Sequence, residues 1–314
     1  MFHFFSFIIY IKLKMDLIAL IMFFVIIIII ALIIHKQTIV NYKQLIVNYK
    51  GGAVNPHFKI LEKREYEAAV ALGKGWGYGH ISDEVKACIS LIPIKPSVFI
   101  DIGGNVGKYT QEVLKNYPDI RTFIFEPSTT NKSILEEKFG KLSNVKISSY
   151  ALSDTSGDAV LYANKPGSGL ASLSNRRLEH FDITMDSKED IKIHRFDEIW
   201  PSLSEQSTNT YINKRQKIID YVKIDVEGHE LAVLNGFGKF IENMGIIQFE
   251  FGGANIDSRT YFQDFWYFFK VNKFTLYRIS PSGLIKIYKY KEIDEVFLTT
   301  NYIAVNDRDL YNLI

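Results

Sequence analysis

The stretch Val98-Phe-Ile-Asp-Ile-Gly-Gly-Asn-Val-Gly107 decides the fold. It reads as a buried strand over 98–100 ending in an acid, Asp101. A turn holding Gly103, Gly104 and Gly107 follows, and then a helix starting near Lys108. Glycine serves such a turn in two ways: it relieves crowding, and it lets main-chain N–H groups approach a ligand held at a helix N-terminus. The spacing bears on which ligand. A dinucleotide fingerprint, G-x-G-x-x-G, would need glycines where Asn105 and Lys108 stand. The pattern present is acid-x-Gly-x-Asn-x-Gly, on Asp101, Gly103, Asn105 and Gly107. A carboxylate at the strand end repels a pyrophosphate and suits an ammonium or a sulfonium.

Downstream, a helix runs to about Asn116 and is broken by Tyr117-Pro118-Asp119. Arg121-Thr-Phe-Ile-Phe-Glu126 is a second apolar strand ending in an acid. Glu126 lies 19 residues beyond Gly107. At the end of the second strand of a doubly wound sheet, such an acid can accept both hydroxyls of a ribose; it can equally cap the helix that follows Pro127. A helix over 129–139 leads to a third strand over 145–150, after which Ala151-Leu-Ser-Asp154 brings Asp154 to its end. A small extra strand is expected over 158–162, and the glycine- and serine-containing run 165–173 reads as a flexible loop. The polar run 202–217 reads as a surface excursion.

The strand over 218–224 delivers Asp225-Val-Glu-Gly-His-Glu230. Four ionisable groups just past a buried strand repel one another and lose solvent, which shifts their pKa values. Glu227 and Glu230 also suit the first turn of a helix, where the dipole favours acids. His229 is either structural or, beside Asp225, a general base. A fifth strand over 245–250 ends in Glu250. An aromatic helix over 257–272 places Phe262, Phe265, Trp266 and Phe269 on one core-facing side, and alternating strands at 274–279, 284–290 and 296–305 end the chain in a β-hairpin.

The chain has 314 residues, enough for one α/β domain beyond its hydrophobic N-terminus. A net charge of +2 with scattered lysines points away from nucleic acid. Cys88 is the single cysteine, so an intramolecular disulfide and a cysteine-only metal site are excluded. The 18 apolar residues 17–34, with Met15 and Asp16, approach the length of a membrane span, and no small-residue cleavage site follows them. Residues 1–36 are therefore expected to be a membrane anchor, 37–60 a stalk, and 61–314 the globular domain. Lysines 12 and 14 before the run and 36, 43 and 50 after it leave the orientation open, as does Met15 as an alternative start. The run Gly73-Lys-Gly-Trp-Gly-Tyr-Gly79 is either a mobile flap or a plain surface loop.

Four blocks, Phe99-Ile-Asp-Ile-Gly-Gly-Asn-Val-Gly107, Phe125-Glu-Pro127, Ala151-Leu-Ser-Asp154 and Val222-Lys-Ile-Asp-Val-Glu-Gly-His-Glu230, together resemble the FkbM family of methyltransferases in order and spacing. The resemblance covers roughly residues 70–253, and the last block is its most specific part. It implies a class I methyltransferase fold, a Rossmann-like, doubly wound and mostly parallel sheet with an antiparallel C-terminal hairpin. It also implies S-adenosyl-L-methionine as cofactor and O-methylation of a natural-product or glycan hydroxyl. By that match Asp101, Gly103 and Asn105 line the methionine end of the cofactor with Gly107 completing the loop, Glu126 takes the ribose diol, and Asp154 lies near the adenine.

For catalysis, Asp225 and His229 are the candidate bases, with Glu227 orienting the acceptor. Hard oxygen donors on Asp225, Glu227 and Glu250 suit magnesium, but no metal is assigned. The expected acceptor is a sugar, another small molecule or a lipid-linked hydroxyl, and no nucleic-acid partner is expected. Because S-adenosylmethionine is made in the cytosol, the catalytic domain of a single-pass membrane protein is expected to face it. A non-catalytic cofactor-binding module is the alternative; a nicotinamide oxidoreductase is disfavoured by the missing glycines.

Overall fold

The computed structural model describes residues 22, 24–33, 35–36, 58–77, 81–205 and 218–308. The chain divides into two units, Met1–Tyr66 and Glu67–Ile314. In the first, residues 22, 24–33, 35 and 36 are helical and exposed. The contiguous part, 24–33, spans about 15 Å at the helical rise, half of a hydrocarbon core. Among the described residues no helix is long and apolar enough to cross a membrane, so the expected anchor over 1–36 finds no support in them. The rest of the apolar run and most of the stalk, 37–57, lie outside the described residues, as does 206–217 of the polar excursion.

The second unit is organised by an eight-stranded sheet. Its strands are β1 (Val98–Ile102), β2 (Arg121–Phe125), β3 (Val145–Ser148), β7 (Ile219–Ile224), β8 (Met244–Phe251), β9 (Phe274–Ser280), β10 (Gly283–Ile287) and β11 (Thr300–Asn306). The order is β10-β9-β11-β8-β7-β1-β2-β3. Strands β3, β2, β1, β7 and β8 pair in parallel, whereas β11 inserts antiparallel between β8 and β9, and β9 turns back into β10. The expected mostly parallel sheet with an antiparallel C-terminal hairpin is therefore present.

Every residue of β1 and β7 is buried, because both faces of the sheet are covered. Alternation splits their side chains. Ile100, Ile102, Val222 and Ile224 join a core with Phe249, Phe265 and Phe269, while Phe99, Tyr221 and Ile246 join a second core with Tyr109 and Val113. The aromatic helix is shorter than expected. Arg259 takes a left-handed conformation at φ 59°, which separates a short helix, Ala254–Ser258, from Phe262–Val271. Phe262, Phe265 and Phe269 of the latter are fully buried, and Trp266 packs against the same core.

A second, three-stranded sheet has the order β4-β6-β5, from β4 (Ala151–Ser153), β5 (Gly157–Ala163) and β6 (Ser187–Arg195). Only β5 was anticipated. Part of the β5-to-β6 connection, 164–186, reaches the carboxyl ends of β1, β2 and β7. The described part of the glycine-rich run upstream is pinned, not flap-like: Gly75 N donates to Thr300 Oγ1 at 2.9 Å and Gly77 N to the Thr299 carbonyl at 2.9 Å.

Candidate active site

Strand order reverses at β1, which has β2 on one side and β7 on the other. In open α/β sheets the crevice beyond the carboxyl ends of the strands at such a point is where ligands bind. A cavity there is lined by Gly103, Asn105, Glu126, Asp225, Glu227 and His229 among others. A further wall comes from the β5-to-β6 connection, through Ser168, Gly169, Ala171, Ser172 and Leu173. The structure thus brings six of the nine expected site residues into one cavity. Asp101, Gly107 and Asp154 are not among its lining residues.

The glycines of the β1 turn are demanded by packing. Gly103 has φ 80°, and a Cβ there would sit 1.9 Å from the Asp225 carbonyl oxygen. Gly107 has φ 78°, and its Cβ would sit 2.5 Å from the Phe139 ring. Any non-glycine residue at either place must displace backbone or core. The ligand-facing features of the turn are Asn105 and the acid opposite it. Glu126 Oε2 accepts the Asn105 N–H at 2.7 Å, and Oε1 accepts that of Ser128 at 2.9 Å, just before the helix Thr129–Phe139. Glu126 caps no N–H of that helix, since both its donors precede Thr129 and Thr129 N donates to Glu189 Oε1 instead; its carboxylate lines the cavity. Burial raises its pKa, against the pull of the two N–H donors.

Asp101 is fully buried behind this turn. Its Oδ2 accepts from Thr110 Oγ1 at 2.6 Å, and its Oδ1, which has no hydrogen bond, lies 3.6 Å from Lys223 Nζ. The parallel pairing of β1 with β7 sets Asp101 directly beside Lys223. Lys223 also reaches Asp225 Oδ2 at 3.2 Å and the Gly103 carbonyl at 3.1 Å. Burial works against its ammonium, yet Asp225 and Asp101 together hold its pKa above the ordinary lysine range.

Beyond β7 the chain makes a strained turn. Glu227 is left-handed at φ 53°, and Gly228 follows at φ 98° with no room for a Cβ, which would lie 2.6 Å from the Ala254 carbonyl oxygen. Glu230 fastens the turn by accepting from Val226 N at 3.0 Å and Gly228 N at 3.1 Å. Its role is structural, and burial pushes its carboxyl up to about 7. Asp225, Glu227 and Glu250 each offer an oxygen, all within 4.8 Å of one another. Burial and the charge of Asp225 push Glu227 up to about 8, and burial, Asp225 and Glu227 raise Glu250 well above the ordinary carboxylate range.

His229 stands at the other side of the cavity. Its Nε2 is 2.9 Å from Ser153 Oγ, which lies 3.2 Å from Asp154 Oδ1. Burial lowers its pKa, with Asp154 opposing. Asp154 itself is exposed beside β4.

Two residues of the connection over 164–186 were not anticipated. Arg176 donates to Glu227 Oε2 and lies 3.6 Å from Asp257 Oδ2; its side chain is only 8% exposed. Ser172 Oγ donates to the Glu227 carbonyl at 2.7 Å. Neither has a local signature, since each partner is more than fifty residues away. Lys223 did carry a signal: a cation inside a buried strand needs an anionic partner.

The family model for the methyltransferase FkbM domain matches residues 101–276. The methyltransferase sdnD of Sordaria araneosa is 27% identical over 166 residues, which cover 47% of this chain and 62% of that protein. The chain thus spans less than two thirds of that relative's length. Among solved structures, an FkbM methyltransferase from Methylobacillus flagellatus is 14% identical with a TM-score of 0.38, covering 67% of this chain and 45% of that one. The plantazolicin methyltransferase BpumL, in complex with SAH, is 10% identical with a TM-score of 0.37, covering 79% and 99%.

Proposed function

Since this chain belongs to the family of FkbM methyltransferase domains, we propose that it transfers a methyl group from S-adenosylmethionine to a hydroxyl oxygen of a sugar, natural-product or lipid-linked acceptor. One observation carries the reading: a single cavity joins Gly103 and Asn105 of the β1 turn, Glu126 at the end of β2, and Asp225 and Glu227 beyond β7.

The residues fit the cofactor. Asn131 Oδ1 is buried without a hydrogen-bond partner, and Asn131 lines the same cavity as Glu126. Such orphaned polar atoms suit a polar ligand. When bound, S-adenosylmethionine supplies a methyl on positive sulfur; its transfer forms a carbon–oxygen bond, leaves the bonding pair on sulfur and releases the hydroxyl proton. Glu126 takes the ribose hydroxyls. Asn105 and Gly103 present the turn to the methionine end. Asp101 acts through Lys223 without touching the cofactor, and Gly107 sets the start of the helix Lys108–Asn116. Asp154, Ser153 and His229 form a chain that holds the adenine side.

For proton removal the assigned group is Glu227, which lines the cavity and is bonded by Arg176 as His229 is by Ser153 and Asp225 by Lys223; what sets it apart is its raised pKa. A carboxyl held up to about 8 is matched to taking a proton near neutral pH. Clustered carboxylates disfavour phosphate or carboxylate acceptors. A membrane tether through the apolar run 17–34, with the catalytic unit on the cytosolic side, is part of the proposal. Its support is the exposed apolar side chains over 24–30 and at 32 and 33.

The test is an untargeted comparison of methylated products in cells overexpressing the protein or its Glu227→Gln variant. A product that appears with the first and not with the second supports the reading. No difference, with both proteins folded and abundant, contradicts it.

A further inference from the structure

The segment from Ser168 to Arg176 does two things at once. Ser168, Gly169, Ala171, Ser172 and Leu173 wall the cavity shared with Glu126. Three residues on, Arg176 reaches Glu227, while Ser172 holds the Glu227 carbonyl from the same side at 2.7 Å. One strap therefore contacts both the cofactor side and the acid cluster.

The groups facing Glu227 are mostly of its own sign. Asp225 lies in its own turn, Glu230 heads the next helix, and Glu250 ends β8. Among the described residues the cation bonded to it is Arg176, whose guanidinium is shared with Asp257 of the helix Ala254–Ser258 at 3.6 Å. The nearby cation Lys223 is engaged by Asp101 and Asp225. Glu227 is also held by its backbone, left-handed at φ 53°. A carboxylate so crowded by others needs a fixed positive partner to keep both its place and its charge.

We propose that Arg176 is a positioning residue for methyl transfer: carried in by the strap, its guanidinium holds the Glu227 carboxylate in the cavity, where it takes the acceptor's proton. The inference rests on the methyltransferase reading of the site and adds a residue and a task to it. As the acceptor oxygen gains the methyl, its hydroxyl proton passes to Glu227 and then to solvent. Arg176 touches neither cofactor nor acceptor. Its partner Asp257 divides the guanidinium's charge between two carboxylates, so Asp257 sets how much of it Glu227 feels.

The experiment is a carboxylate NMR titration of the full chain carrying 13C-labelled glutamate, with the Glu227 resonance identified by its loss in Glu227→Gln. Arg176→Gln is expected to raise the Glu227 midpoint by about one pH unit or more, the usual size for loss of an adjacent opposite charge. Arg176→Lys is expected to recover at least half of that rise. Asp257→Asn, which leaves Arg176 to Glu227 alone, moves the midpoint down and serves if Arg176→Gln does not fold. Unmoved midpoints in the variants that fold would overturn the proposal, even if their melting temperatures fall, because a mere brace does not set a titration. Calorimetry with S-adenosylhomocysteine on the same samples separates the two readings. Shifted midpoints without cofactor binding would sink the methyltransferase reading and with it Arg176's catalytic task; binding with unmoved midpoints would sink the Arg176 proposal alone.

Discussion

Asp101 Oδ1, fully buried and without a hydrogen bond, faces the ammonium of Lys223 at 3.6 Å across the pairing of β1 with β7. The two residues join the strands whose ends build the site. Removing one partner of a buried pair strands the other's charge, at a cost of roughly 3–5 kcal/mol. Lys223→Met is therefore expected to lower unfolding free energy by about that amount, and adding Asp101→Asn to restore much of it. Urea denaturation of the single and double variants checks this; a single variant within about 1 kcal/mol of the parent would contradict it.

Glu84 links pH to stability. Burial pushes its carboxyl up to about 7, against the Gln248 Nε2 donor at 2.8 Å. In an unfolded chain a glutamate titrates near about 4.3. Between those values the folded state keeps a proton that the unfolded state has lost. The stabilising contribution is therefore full below the unfolded value and lost as pH rises through the folded one. Glu84→Gln should gain on the order of 3 kcal/mol over the parent at pH 8, and nothing comparable near pH 4. Equal differences at both pH values, by denaturant titration, would refute the assignment.

His229 and Glu227 separate by their tasks. With His229 Nε2 on Ser153 Oγ at 2.9 Å, His229→Gln should leave methyl incorporation within about tenfold of the parent, whereas Glu227→Gln should lower it by about 10²- to 10⁴-fold. Because the proton acceptor must be a carboxylate, incorporation should rise as pH climbs toward about 8. The reading is labelled methyl transferred from S-adenosylmethionine into an extract that supplies acceptors. A larger loss for His229→Gln than for Glu227→Gln would reverse the roles.

Much of the frame was legible because it depends on local pattern. Apolar strands ending in Asp101, Glu126, Asp225 and Glu250, separated by helical periods, dictate a parallel sheet with acids along one edge. What escaped is what depends on contacts far apart in the chain. Nothing around Arg176 tells that it meets Glu227 and Asp257, and β6, with its exposed alternate residues, has no apolar run to announce it. The family resemblance implies that Asp101 lines the methionine end of the cofactor. Alternation along the strand instead turns Asp101 toward Thr110 and Lys223, and the strand's register alone decides between the two. Of the two uses of glycine in the β1 turn, relief of crowding accounts for Gly103 and Gly107, which make room for the Asp225 carbonyl and the Phe139 ring.

Calorimetric titration of the full chain with S-adenosylhomocysteine tests most directly whether the cavity beside Glu126 holds S-adenosylmethionine. Saturable binding at one site is predicted, weakened about tenfold or more by Glu126→Ala, as expected for losing hydrogen bonds to a charged group. Absence of binding by the folded parent, or binding that Glu126→Ala leaves unchanged, would contradict it.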